Sequence, residues 1–286
     1  MLRYLLAMTI FGTIGLFVRF IELPSTVIAL SRGIIGTLFL LCVVFLSGQK
    51  LRTVVIKQNA VRLLAAGIML GLNWIFLFEA YRFTSVASAT LAYYMAPVIL
   101  IILSPVVLKE RVSAVKWLCV LVALIGMVLT SGLLDANQST GWHGILMGLV
   151  AACFYAGVVL NNKFLRDLTP YESTVSQLLI SGLVLLPYVL ATVELDPAQI
   201  PSQTIWLTLT VGIVHTGIAY WLYFSALPRL EAARIAIFSY IDPAVAILLS
   251  VFVLMEPMSA SGIAGAFLIL GAALASELST MKRPHA

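Results

Sequence analysis

Apolar residues run through this chain in long blocks, and the polar positions collect in short breaks between them. Ten blocks, at 4–20, 25–46, 60–81, 85–107, 114–132, 143–162, 171–191, 203–226, 232–254 and 259–278, approach the roughly 20 residues that a helix needs to cross about 30 Å of hydrocarbon. Strict alternation of apolar and polar residues is absent, and an open backbone cannot face lipid, so the blocks predict helices rather than strands. The expected fold is therefore an all-α integral membrane protein with ten transmembrane helices. The longest breaks, 47–59, 133–142 and 192–202, are too short to house a soluble domain.

The pattern is written twice. The segment from Leu77-Phe78-Glu79-Ala80 to Ser113-Ala114 recurs from Tyr223-Phe224-Ser225-Ala226 to Ser259-Ala260, at a constant offset of 146 residues. Within it Tyr94 matches Tyr240, Pro97 matches Pro243, Leu103-Ser104 matches Leu249-Ser250, and Glu110 matches Glu256; Gly71 likewise matches Gly217. Residues 1–132 and 143–286 thus form two five-helix repeats, joined by a turn-rich linker over 133–142. An odd number of spans makes the second repeat enter the membrane from the opposite side, which predicts inverted topology with Glu110 at the cytoplasmic end of the fourth span and Glu256 at the external end of the ninth. Two related halves of this kind are the mark of a secondary transporter working by alternating access.

Composition supports the membrane assignment. Only 10% of residues are charged, 62% are hydrophobic, and the mean hydropathy is +1.08, whereas a soluble domain has about 25% charged residues. The net charge of +5 reports topology instead of nucleic-acid binding. With the N-terminus inside, every Lys and Arg except Arg19, Arg82 and the intramembrane Arg32 falls on the cytoplasmic side, so both termini are expected there. The first block has no small-residue cleavage pattern and reads as a retained helix. Cys42, Cys119 and Cys153 lie inside apolar blocks without metal-ligand or disulfide spacing. No metal, cofactor or catalytic motif is indicated: a Walker A loop, a GxSxG elbow, an HExxH helix and a dinucleotide fingerprint are all missing, so the energy for transport has to come from gradients.

A few polar groups interrupt the blocks. Asp242 stands at mid-span, where a carboxylate costs about 2.5–3.5 kcal/mol and needs a cavity or a partner; the plainer reading is a helix cap at Pro243. His215 lies at similar depth on the preceding span, so a His–Asp pair is one reading and a hydrogen-bonded packing residue the other. The repeat-related positions are Ala96 and Met69. The polar groups are thus absent from the duplicated scaffold, as expected if they bind a cationic substrate or exchange a proton. Arg32 sits about a third of the way in from the outer face and needs an anionic or carbonyl partner, Glu79 being the first candidate. Pro97 and Pro243 predict kinks at matching depth, by clashing with the carbonyls of Tyr93 and Ser239, and are candidate hinges.

Phe11-Gly12, Leu30-Ser31-Arg32, Phe78 through Ala87, the paired segments Pro97–Glu110 and Pro243–Glu256, and Gly262 through Gly271 together resemble the drug/metabolite transporter superfamily, and within it the EamA-type transporters. The likeness covers nearly the whole chain. It implies a central cavity lined by the third, fourth, eighth and ninth spans, with the fifth and tenth at its periphery. Those four spans carry Asn73, Trp74, Tyr93, Tyr94, Tyr220, Trp221 and Tyr240; an aromatic box beside Asp242 would attract an ammonium group by about 0.5–2 kcal/mol per contact, while Tyr and Trp also populate membrane interfaces. The expectation is a non-ATP transporter of the inner membrane that exports an amino acid or amine; the alternatives are uptake or exchange of another metabolite and, behind these, a membrane-embedded enzyme or a structural membrane subunit, and the sequence leaves monomer or dimer open.

Overall fold

The computed structural model describes residues 1–48, 50–109, 112–130, 141–194, 196, 199–226, 230 and 232–281, and the regular elements among them are all helical. Residues 133–140 of the expected linker, together with Glu110, Arg111, Arg229, Lys282 and Arg283, lie outside the described residues. The first half contains α1 (Leu2–Arg19), α2 (Ser25–Leu46), α3 (Thr53–Gln58), α4 (Ala60–Phe83), α5 (Val86–Tyr93), α6 (Ala96–Val107) and α7 (Ala114–Thr130). The second contains α8 (Trp142–Asn162), α9 (Pro170–Thr192), α10 (Ser202–Thr210), a π-helical segment Val211–Ile218, α11 (Ala219–Ala226), α12 (Ala232–Ser239), α13 (Ile241–Phe252) and α14 (Ala260–Met281). Eight helical stretches among the described residues are long and apolar enough to cross a membrane, and Ala114–Thr130 and Ile237–Phe252 are shorter apolar helices.

Helix boundaries keep the repeat. Both ends of α5 recur in α12 at the offset of 146 residues, and so does the start of α7 in α14. Packing follows the same exchange: α4 lies against α8 as α11 lies against α1, and α4 against α9 as the π segment against α2. The pairs α2–α9 and α7–α14 are each made of one helix and its own counterpart. An outward face of α7, with Trp117, Leu118, Leu121, Leu124 and Ile125, is exposed and apolar, as lipid contact requires.

Both prolines stand at a break. The helical stretches Val86–Val107 and Ile237–Phe252 are interrupted at Tyr94-Met95 and at Tyr240, and Pro97 and Pro243 lie in the first turn of the helix that follows. The backbone at Met95 and Tyr240 stays near α-helical, with φ −72° and ψ −8° at the first and φ −75° and ψ −3° at the second, so each break is a local interruption beside a ring that clashes with the carbonyl four residues earlier in a regular helix. The 47–59 break holds a short helix, α3. It is docked by Arg52, whose backbone and guanidinium donate to Glu172 at the start of α9 at 2.7–2.9 Å.

Small residues let the helices close on the centre. A Cβ added at Gly12 of α1 would stand 2.5 Å from the Asp242 carbonyl and 2.7 Å from Val245 Cβ. At Gly36 of α2 it would stand 2.4 Å from Thr216 Cγ2. Both helices therefore press directly on the residues at which the second half departs from the first.

Candidate functional site

The break between α5 and α6 faces the break between α12 and α13. Tyr94 and Tyr240, repeat partners, meet there with ring centroids 6.4 Å apart, and both are half-buried. Tyr93 continues the cluster to Tyr94 at 6.2 Å and to Tyr155 of α8 at 5.5 Å. Tyr155 is 39% exposed within this ring of aromatics. Tyr220 stacks edge-on against Phe11 of α1 at 5.4 Å and leads on to Phe224 and Tyr223.

Asp242 occupies the first turn of α13, where the unsatisfied N–H groups of the helix favour a negative charge. Its carboxyl lies within electrostatic range of the Tyr94 hydroxyl, across the interface between the halves. It remains half-buried rather than sealed.

Arg32 is 6% exposed and no ion pair reaches it among the described residues. Nε donates to Thr216 Oγ1 at 2.8 Å, and the guanidinium plane lies over Trp74 at 4.3 Å and near Phe78 at 5.8 Å. Asp242 is within its electrostatic range. Held by its Nε edge and one face, the guanidinium keeps its terminal nitrogens free of described hydrogen-bond partners, and a planar donor fork of this kind suits a carboxylate.

Glu79, the expected partner of Arg32, instead accepts from Ser25 Oγ at 2.5 Å and pairs with Arg82 at 3.7 Å. The physical reason is helical phase and depth. Arg82 is one turn from Glu79 on the same helix, near the exposed end of α4, while Arg32 lies two turns into α2 beside the π segment. His215 is likewise not joined to Asp242 by any described hydrogen bond or ion pair. Its Nε2 meets Thr13 Oγ1 at 2.9 Å, its ring stands 4.8 Å from Phe17, and it is 1% exposed. A π turn inserts an extra residue in the helical register, rotating His215 toward α1 and Thr216 toward α2. The matching stretch 65–72 of α4 is regular α-helix.

Asn73 is fully buried, and its Nδ2 donates to the Ala151 carbonyl at 2.7 Å, tying α4 to α8. Trp221 lies at the surface under Arg3. Sequence reasoning missed Thr13 and Phe11 on α1, Tyr155 on α8, Thr216, and Glu277 near the end of α14, which lies within electrostatic range of Tyr4, Tyr155, Tyr223 and Tyr240. The site thus draws on the first, sixth and tenth spans as well as the expected four. Only the mid-span polar character of Tyr155 and the lone acid in the last apolar block signalled them beforehand.

Comparison with known proteins adds three findings. A family model described as the EamA-like transporter family matches residues 1–132 and 142–276. The chain is 33% identical over 251 residues to a Bacillus subtilis (strain 168) protein described as uncharacterized transporter YxxF, covering 87% of this chain and 79% of that one; it is 27% identical over 266 residues to an uncharacterized transporter of Archaeoglobus fulgidus, covering 91% and 90%. A solved crystal structure at 21% identity has a TM-score of 0.67 and covers 98% of this chain and 97% of its own, a likeness of fold.

Proposed function

Because this chain belongs to the EamA-like transporter family, we propose that it is a ten-span secondary transporter of the inner membrane that exports a small amino acid or amine by alternating access between two inverted repeats. The single observation that carries this reading is the meeting of the repeat-related tyrosines Tyr94 and Tyr240 beside Asp242, at the interface between the halves. Motion of one half against the other changes which side of the membrane reaches that interface, and discontinuous helices are the usual walls of such a midplane site.

In this reading Asp242 holds an ammonium group of the substrate or a coupling proton, with Tyr94, Tyr240 and Tyr220 supplying aromatic faces. Arg32, with Trp74 behind it, takes the carboxylate of a zwitterion. His215 acts indirectly, by holding the π segment against α1 and so placing Thr216 on Arg32. Pro97 and Pro243 act as hinges by starting new helices, and Asn73 holds the wall. Both termini face the cytoplasm, as the distribution of Lys and Arg supports.

Flux into proteoliposomes tests the proposal: a panel of amino acids and amines, with and without an imposed pH gradient, is expected to include a substrate whose movement is lost in Asp242→Asn. A panel in which no compound moves faster than in protein-free liposomes, with the protein verified as inserted, overturns it.

A further inference from the structure

One end of the interface between the halves is pinned by a cluster outside the site described above. α13 ends in a reversal at Met255, whose φ of 51° is left-handed. Its repeat partner Lys109 has φ 57°, so both halves store the same strained turn at the same place, the kind of backbone outlier that switch regions hold. After the reversal Glu256 N–H donates back to the Ser250 carbonyl at 3.0 Å, which fixes the direction of the Glu256 side chain.

That side chain enters the other half. Glu256 Oε2 accepts from the backbone N–H of Val86 at 2.9 Å, and Ser250 Oγ accepts from that of Ala87 at 3.1 Å while donating to Glu256. With Ser85 Oγ accepting from Ser88 N–H, each of the first three backbone donors of α5 has an oxygen, one from α13 and one from the turn that follows it. Glu256 is also paired with Arg19 at the end of α1, at 3.5 Å, and Arg19 holds the carbonyl of Tyr81. Arg19 also lines a cavity of about 430 Å³ with Glu22, Ser25, Phe78, Tyr81 and Arg82. Its wall residue Phe78 has the Arg32 guanidinium 5.8 Å behind its ring.

At the opposite end Glu110, the counterpart of Glu256, lies outside the described residues, and the other counterparts differ. Ser104, repeat partner of Ser250, spends its hydroxyl on Ile101 of its own helix at 3.3 Å, and the position matching Arg19 is Leu165. Tyr155, 39% exposed, lies in the half of α8 away from Trp142.

We propose that Arg19, Glu256 and Ser250 form the external latch of the transporter: together they cap α5 from α13, close the outer face, and must let go before the Asp242 region reaches the outside. The proposal rests on the alternating-access reading and on its assignment of sides. A cap borrowed from the other half suits a latch, because the Val86 and Ala87 donors can return to water when the halves part, so opening leaves no buried orphan group.

The test needs no substrate, so its failure is distinct from failure of the flux experiment. In a background with Cys42→Ser, Cys119→Ala and Cys153→Ser, Ala246→Cys reports access to α13 one turn outside Asp242, and Tyr155→Cys reports the opposite side. Each is labelled with a membrane-impermeant maleimide, the first from the outer face and the second in inside-out vesicles. Removing the Glu256 side chain with Glu256→Ala is expected to speed outer labelling of Ala246→Cys about tenfold, the weight of a charge-assisted hydrogen bond on a two-state balance, and to slow inner labelling of Tyr155→Cys. Arg19→Gln, which spares the cap, is expected to do the same to a smaller extent. Faster labelling of both reporters indicates a loosened protein, unchanged outer labelling indicates no latch, and either result, or any pattern without the reciprocal change, overturns the proposal.

Discussion

Tyr94 and Tyr240, separated by 146 residues of chain, bring their rings within 6.4 Å of each other because each stands at the break of the same broken helix in its own half. The break frees carbonyls and exposes a new helix start beside the ring, and in the second half alone that start carries an acid, Asp242. A duplicated scaffold with an unduplicated charge makes the interface polar on one side only.

Asp242→Asn is expected to leave the protein folded and to abolish the pH dependence of flux into proteoliposomes. His215→Gln is expected to lower the rate while keeping that dependence, since its ring contacts Thr13 and Phe17 and not Asp242. A parental pH profile in Asp242→Asn would reduce the residue to a helix cap.

Arg32→Lys is expected to reduce transport at least as much as loss of one charge-assisted hydrogen bond, about 1.5–3 kcal/mol or ten- to a hundredfold in apparent substrate affinity. A lysine keeps the charge but not the Nε bond to Thr216 or the stacking on Trp74. Glu79→Gln is expected to change affinity little, because its partners are Ser25 and Arg82; equal effects of the two substitutions in a concentration series would contradict the arrangement.

Gly12→Ala and Gly271→Ala are expected to diverge. The new methyl of the first meets the Asp242 carbonyl and Val245, and overpacking of this kind costs about 1–3 kcal/mol. At Gly271 no heavy atom lies within 4 Å of the added Cβ, so the gain of about 1 kcal/mol in helix propensity is expected to be kept. Melting temperatures in detergent, read by size-exclusion chromatography after heating, check the order.

Lys57→Cys and Gln199→Cys, both at exposed positions outside the long helices, are expected to react with impermeant thiol reagents from opposite faces, the first from the cytoplasm and the second from outside. Reaction of both from one face would refute the inverted arrangement of the halves.

Much of the architecture was legible because hydrocarbon is an unforgiving solvent. The apolar blocks at 25–46 and 171–191 became α2 and α9 almost to the residue, since an unsatisfied backbone in lipid leaves the chain no alternative to helix. The prolines marked where both helical stretches break, because a ring that clashes with the carbonyl four residues earlier interrupts a regular helix. Asp242, Tyr94, Tyr220 and Tyr240 were legible as polar or aromatic groups at one depth. The partners of Arg32 and His215 were not, as these follow from the π segment at Val211–Ile218.

The sequence by itself therefore determined the helical membrane class, the duplication, and the place of each polar group along its apolar block, all of which depend on the one-dimensional order of apolar and polar residues. Tertiary structure alone decided which groups meet. Depth is set by residue number along a span, but azimuth is set by the register of every helix packed against it. One extra residue in a helical turn sends His215 to Thr13 and Thr216 to Arg32, and a left-handed turn at Met255 carries Glu256 to the start of α5.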